Sequence, residues 1–470
     1  MHLIKHILFL FFGALFCVSC NQTSENSCGA AWLGGEVVNP KKDYVIIRQS
    51  RRIIDTVALD ENNFFLYHFE TLEPGMYSFS HNEYQTLFIE RGDSIMLRVN
   101  TLEFDESLSY TGKGASKNNF MMELFLLNEK ENELMPSLQL LSPKEFEFKM
   151  DSFAKGRRNL YDIFVAKKNP SEGFKTIANA AIDYDIYSKK ELYIATNLRK
   201  KVYNENVAIP ADFYNFRADV DMGNEKLKSY YPYYRYLGYY LDNLAYEMYQ
   251  DENPFDRNSY IHNYHKINLF DSLVTNEYLK NNLIRTSATR YFLNADNEKN
   301  ANQMLAHFLK HNSNEEDHEE VSKFAEATMK LMPGHVIPNV MLLTSDNTVK
   351  DLHNTLNKPT VLYFWSNKSI SHYKNIHTRA SELKNKYPEF GFVGINIDAH
   401  FKKWLKAIQI SGYNELTEYQ FENFKDAEYK LVIDSVNKAM IVDADGVILH
   451  GNTNIFDLNI ESQLLGFLNQ

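Results

Sequence analysis

All three cysteines of this 470-residue chain, Cys17, Cys20 and Cys28, lie before residue 30, so the rest of the chain carries no thiol. Disulfide staples, thiolate zinc sites, iron–sulfur clusters and cysteine catalysis are thereby excluded from the folded body. At about 150 residues per domain, the length allows two to four domains. Apolar residues at 44% and charged residues at 24% fall in the globular range and argue against a disordered or fibrous chain. Lysine and arginine number 50 against 61 aspartates and glutamates, a formal charge of −11, so nucleic acid is not an expected partner.

Beyond the last cysteine, hydrophobic periodicity divides the chain into three parts. Residues 32–110 alternate with a period near two in short runs at 44–47, 53–59, 64–69, 75–79, 86–89 and 94–99. Turn residues separate the runs at Asn39-Pro40, 60–63, Pro74-Gly75 and Gly92-Asp93, which predicts an antiparallel β-sandwich of about 80 residues. From residue 118 to 332 the period becomes helical, with Phe120, Leu124 and Leu127 on one face, and seven to nine helices are expected. Pro210, Pro232, Pro254 and the acidic run at 315–320 punctuate them. From residue 334 strands (360–365, 391–398, 438–443, 447–450) and helices (372–386, 401–410, 460–468) alternate, and Asp445-Gly446 marks a hairpin turn. That order predicts a small α/β sheet, parallel first and antiparallel later. The fold class is therefore multidomain: a β-sandwich, an α-helical middle and a C-terminal α/β domain.

Several polar groupings invite a chemical reading. Tyr233, Tyr236 and Tyr240 share a helical face, which suits a buried interface and, as the alternative, a platform for capturing glycan or peptide. The histidine pairs His262/His265, His372/His377 and His311/His318 match no metal-binding spacing and read as solvated helix faces, so no metal is expected. Neither a G-x-x-x-x-G-K-[ST] loop nor a G-x-G-x-x-G element occurs, so no nucleotide and no other cofactor is implied. Ser369 and His372, with Asp398 to orient the histidine, make a hydrolytic arrangement on paper, but no oxyanion hole or nucleophile elbow accompanies them.

At the amino terminus Lys5 and His6 precede an apolar run over residues 7–18, too short to span a bilayer permanently but suited to a secretory signal. The run ends in Phe-Cys-Val-Ser19-Cys20 and then turns polar, which resembles a bacterial lipoprotein signal in which Cys20 is lipidated. Cys17 stands where such signals usually carry leucine. A conventional signal peptide with incidental cysteines is the alternative. Under the lipoprotein reading the chain is tied to a membrane through its acyl chains.

Gly334-His-Val-Ile-Pro338, the strand ending Phe364-Trp365, Phe392-Val-Gly-Ile-Asn-Ile-Asp398, Trp404 and Met440-Ile-Val-Asp-Ala-Asp-Gly446 together resemble the thioredoxin-fold domain of TlpA-type thiol-disulfide reductases and their peroxiredoxin-like relatives. Gly35-Glu-Val-Val-Asn-Pro40, Asp55-Thr-Val-Ala-Leu-Asp60, Leu72-Glu-Pro-Gly-Met-Tyr77 and Glu90-Arg-Gly-Asp-Ser94 resemble the β-sandwich that precedes such domains in lipoproteins of the Bacteroidota. The resemblance implies a C-x-x-C pair after Phe364-Trp365, where a helix amino terminus would activate the first thiol. The matching residues here are Ser369 and His372, and the position of the family's cis-proline falls on Asn437. A serine hydroxyl is not ionised at neutral pH and forms no disulfide, so the redox step has no residue to run on.

These readings give a signal peptide at 1–19, a tether at 20–31, the β-sandwich at 32–112, the helical domain at 113–332 and a thioredoxin-like domain at 333–470. They imply an envelope lipoprotein, anchored in the outer membrane through Cys20, whose redox-inactive thioredoxin-like domain binds or scaffolds a protein or peptide around Trp365, Ser369, His372 and Asn437. Thiol-disulfide exchange of the TlpA type is the alternative that the resemblance carries.

Overall fold

The computed structural model describes residues 29–200, 208–295 and 297–469, so the expected signal peptide and the Cys20 anchor lie outside the described residues. The alternating stretch becomes eight strands: β1 (Ala31–Val38), β2 (Tyr44–Gln49), β3 (Arg52–Ala58), β4 (Phe64–Phe69), β5 (Gly75–His81), β6 (Glu83–Ile89), β7 (Ser94–Asn100) and β8 (Ser109–Lys113). A single turn, α1 (Phe104–Ser107), interrupts the last pair. The strands form two four-stranded sheets, ordered β4-β1-β7-β8 and β3-β2-β5-β6. Leu33, Val37, Ile95 and Leu97 of the first meet Val45, Ile47, Phe79 and Leu87 of the second in one core. Every pairing is antiparallel except β1 with β7, which are distant in sequence and run in the same direction.

Where the period lengthens, the described residues form eight helices: α2 (Ala115–Leu138), α3 (Pro143–Lys168), α4 (Glu172–Lys200), α5 (Tyr231–Glu247), α6 (Tyr260–Leu273), α7 (Glu277–Asn294), α8 (Glu298–His311) and α9 (Glu315–Met329). Side chains of Asn276, Asn297 and Asn314 start the last three by accepting from the backbone N–H three residues on. The described chain separates into two compact units. The first comprises Met1–Tyr193, Val207–Phe216 and Ser229–Tyr236, and the second comprises Ile194–Asn206, Arg217–Lys228 and Leu237–Gln470, so the helical stretch is shared out between them. In the first unit Tyr233 and Tyr236 are fully buried, packed against Tyr184 at 4.9 and 5.3 Å between ring centroids. The buried interface expected for these tyrosines is thus found at these two rings, which leaves neither of them for the alternative platform.

In the second unit a seven-stranded sheet is built from β9 (Met341–Leu343), β10 (Val349–Asp351), β11 (Thr360–Trp365), β12 (Gly391–Asn396), β13 (Glu418–Phe421), β14 (Lys438–Val442) and β15 (Ile448–Asn454). Its order is β10-β9-β13-β12-β11-β14-β15. Strands β11, β12 and β13 run parallel, β14 runs antiparallel to β11, and β15 antiparallel to β14. The β14–β15 turn is held by Asp443 Oδ1, which accepts from Asp445 and Val447 N–H, with Gly446 at φ +80°.

Both faces of this sheet are covered. On one, α10 (Ile370–Lys386), α11 (Phe401–Ser411) and α13 (Ile460–Leu468) pack Ile376, Trp404 and Leu464 against Val361, Phe392 and Ile441. On the other, α12 (Phe424–Lys430) is joined by Ala327 of α9 and by Leu331, which pack with Leu362, Phe364 and Met440. All six residues of β11 are buried for this reason.

Candidate functional site

Strand β11 delivers Trp365 to the carboxyl end of the sheet, and the loop after it leads into the first turn of α10. That loop is pinned by Asp398, just beyond β12, which accepts from Ser366 Oγ at 2.8 Å and Asn367 N at 2.5 Å. Asp398 is thereby fixed to the loop and does not orient His372. Ser369 is the N-cap of α10, and its Oγ accepts from His372 N at 3.4 Å. A helix N–H that would face a thiolate in a redox enzyme thus faces a neutral hydroxyl.

The His372 ring reaches in the other direction, with Nε2 2.7 Å from Asn437 Oδ1. With that oxygen as acceptor, Nε2 carries the hydrogen. Asn437 precedes β14 and is fixed by its own backbone, its N–H donating to Ser435 Oγ at 3.2 Å and its carbonyl accepting from Ile455 N at 3.1 Å. Among the described residues every peptide bond is trans, the one before Asn437 included. The fold thus brings together three of the residues singled out from sequence, Ser369, His372 and Asn437, at a half-exposed surface. Two exposed apolar side chains flank them, Ile370 on α10 and Phe456 after β15, the latter 6.4 Å from the His372 ring.

The fourth residue behaves differently. Trp365 is fully buried, because its indole is drawn inward by a hydrogen bond from Nε1 to Glu418 Oε2 at 3.0 Å. It therefore supports the site from behind and does not line an open groove. Glu418, on β13, also accepts from Tyr363 Oη at 2.8 Å through Oε1, and His377 Nε2 stands 3.3 Å from that same Oε1. His377 Nδ1 lies 2.6 Å from the Tyr373 carbonyl, and its ring stacks on Tyr413 at 3.8 Å. Burial, reinforced by the Glu418 charge, pushes the Tyr363 hydroxyl well up from its ordinary pKa, so it stays a hydrogen-bond donor. Sequence reading missed Glu418, whose one signal is an acid inside a short run of aromatic and apolar residues.

The grouping around His262 is structural. His262 is fully buried, with Nε2 3.0 Å from Asp242 Oδ1 and Nδ1 3.0 Å from Tyr249 Oη, so the expectation of a solvated helix face fails there. The cause is the buried Asp242 carboxylate, which also takes Lys266 at 2.5 Å and Arg257 at 3.2 Å.

Comparison with known proteins bears on the same domain. A family model described as thioredoxin-like matches residues 357–448, and the C-terminal α/β domain is thioredoxin-like. Among solved structures, a thioredoxin-like protein from Bacteroides caccae is 12% identical, with 60% of this chain and 94% of that one covered and a TM-score of 0.36. The thioredoxin domain of a thiol-disulfide oxidoreductase from Bacteroides vulgatus is 17% identical over 29% of this chain and 95% of that one, with a TM-score of 0.24. A thiol:disulfide interchange protein from a Bacteroides species is 19% identical over 30% and 93%, with a TM-score of 0.25. No curated protein matches the chain.

Proposed function

We propose that this chain is an envelope lipoprotein, held in the outer membrane through Cys20, whose thioredoxin-like domain is a redox-inactive module that binds a protein or peptide. The observation that carries the reading is the occupancy of the thiol positions. Ser369 caps the helix and His372 is tied to Asn437, so the end of α10 offers polar groups and no electron-transfer chemistry. Hydrogen-bonding side chains between two exposed apolar residues, Ile370 and Phe456, suit contact with an extended peptide.

The test is reduction of insulin by the mature lipidated protein with Cys28 replaced, in the presence of dithiothreitol. The expected rate equals that of dithiothreitol alone. A rate clearly above it overturns the redox-inactive reading and assigns thiol-disulfide exchange instead.

A further inference from the structure

Within the second unit, a cavity of about 320 Å³ that includes neither His372 nor Asn437 in its lining opens where the ends of α7 and α9 meet β15 and the turn before β14. Its volume is within the range of small-molecule sites. Lys438 lines it and is only 3% exposed, yet among the described residues no carboxylate forms an ion pair with it. Its Nζ donates to the Val432 carbonyl at 2.7 Å. An ammonium group has three N–H donors, so two have no acceptor among the described residues.

A second observation points to the same spot. Val432 holds φ +47°, a left-handed conformation that a β-branched residue adopts only under constraint. Its carbonyl oxygen accepts from Asp434 N at 3.0 Å as well as from Lys438 Nζ. The strained turn therefore aims an oxygen at the buried ammonium. Burial pushes the Lys438 pKa down to about 8, with Asp434 offsetting part of that effect, as befits a cation without a close counter-ion.

The rest of the lining suits the same ligand. His450 Nδ1 accepts from Asn452 N at 3.4 Å, which leaves Nε2 as the protonated nitrogen and a second donor. Asn452 is itself positioned by donation to the Leu293 carbonyl at 2.6 Å. Asp256, the acid among the lining residues, is turned to its own loop, where it accepts from Asn258 N at 2.9 Å.

We infer that this cavity binds a small organic carboxylate, with the charged group on Lys438 Nζ and the uncharged remainder against the amide and apolar walls. The ligand supplies the counter-charge that the fold withholds.

The full chain is treated with an amine-acetylating reagent at fixed ionic strength, and acetylation of each lysine is followed by peptide mass spectrometry. Benzoate and glucuronate are the charged probes, and benzamide is the neutral one. Either carboxylate, at about ten times its dissociation constant, is expected to slow acetylation of Lys438 about tenfold, because the unoccupied fraction falls to about a tenth, while exposed lysines are unaffected. Benzamide is expected to give no protection. Equal protection by benzamide, or an unchanged Lys438 rate with both carboxylates, overturns the inference. The thermal shift that the carboxylates produce is expected to vanish in Lys438→Met. Its persistence in that variant counts against the inference, and the acetylation experiment needs no variant to fold.

Discussion

His372 Nε2 and Asn437 Oδ1, 65 residues apart in sequence, meet at 2.7 Å. Removing either partner by His372→Ala or Asn437→Ala is expected to cost about 1 kcal/mol, the usual net worth of a half-exposed hydrogen bond. In a double-mutant cycle by urea unfolding, the two losses combine less than additively. Full additivity shows that the pair is not formed in solution.

The same surface can be asked what it touches. A Ser369→Cys, His372→Cys variant places two thiols at the start of α10, and a docked protein with an accessible cysteine is then held covalently. Pull-down from solubilised envelope is expected to give one partner with both forms, retained under denaturing conditions only by the double variant. Capture by the native chain alone moves the binding surface elsewhere.

Glu418 accepts from both Tyr363 and Trp365 inside the sheet domain. Glu418→Leu leaves both donors buried without an acceptor and is expected to cost about 3–5 kcal/mol. In Glu418→Gln the amide oxygen serves Trp365 and the amide N–H serves the Tyr363 oxygen, so the expected cost is about 1–2 kcal/mol. Unfolding followed by tryptophan emission separates the two variants.

Three histidines of the second unit set its behaviour in acid. Burial holds the pKa of His262, His307 and His450 below the ordinary 6.5, to about 4 for His307, where the His311 charge adds to the effect. In that window the unfolded chain binds more protons than the folded one, so stability is full above about pH 6.5 and is lost as pH falls toward 4. The melting temperature of the second unit is expected to drop over this range, and His307→Phe to flatten the slope. A variant with the native slope refutes the assignment to His307.

Gly451 on β15 lies so close to the Leu331 backbone that an added Cβ would overlap the Leu331 carbonyl oxygen. Gly451→Ala is expected to destabilise by at least about 1–3 kcal/mol, since backbone cannot move aside as a side chain can. Gly156, inside α3 with open space around it, is the control. Gly156→Ala is expected to stabilise by about 0.5–1 kcal/mol through helix propensity. Calorimetry of the two variants gives shifts of opposite sign.

Much of this architecture is legible in the sequence because it rests on periodicity. The alternation from residue 32, the helical period from 118 and the Asp445-Gly446 hairpin each have a local cause that composition carries. The strands Met341–Leu343, Val349–Asp351 and Glu418–Phe421 escape because three or four residues hold no readable period. The parallel pairing of β1 with β7 escapes because nothing local encodes a partner so distant. Ser369, His372 and Asn437 are legible by position in a motif, and the fold joins them. Trp365 is not, because β11 is buried on both faces, where no alternation tells inward from outward. Lys438 escapes because a lysine opening an apolar strand looks like an exposed end, and only the three-dimensional fold covers it.

Ala327 and Leu331 lie before residue 333, yet they pack against the sheet built from the residues after it. A fragment begun at Gly334 would therefore lose the part of the cover over Leu362, Phe364 and Met440 that Ala327 and Leu331 supply, and be more prone to self-association. The join between helices and sheet marks a change in pattern, and it is a poor place to sever the chain.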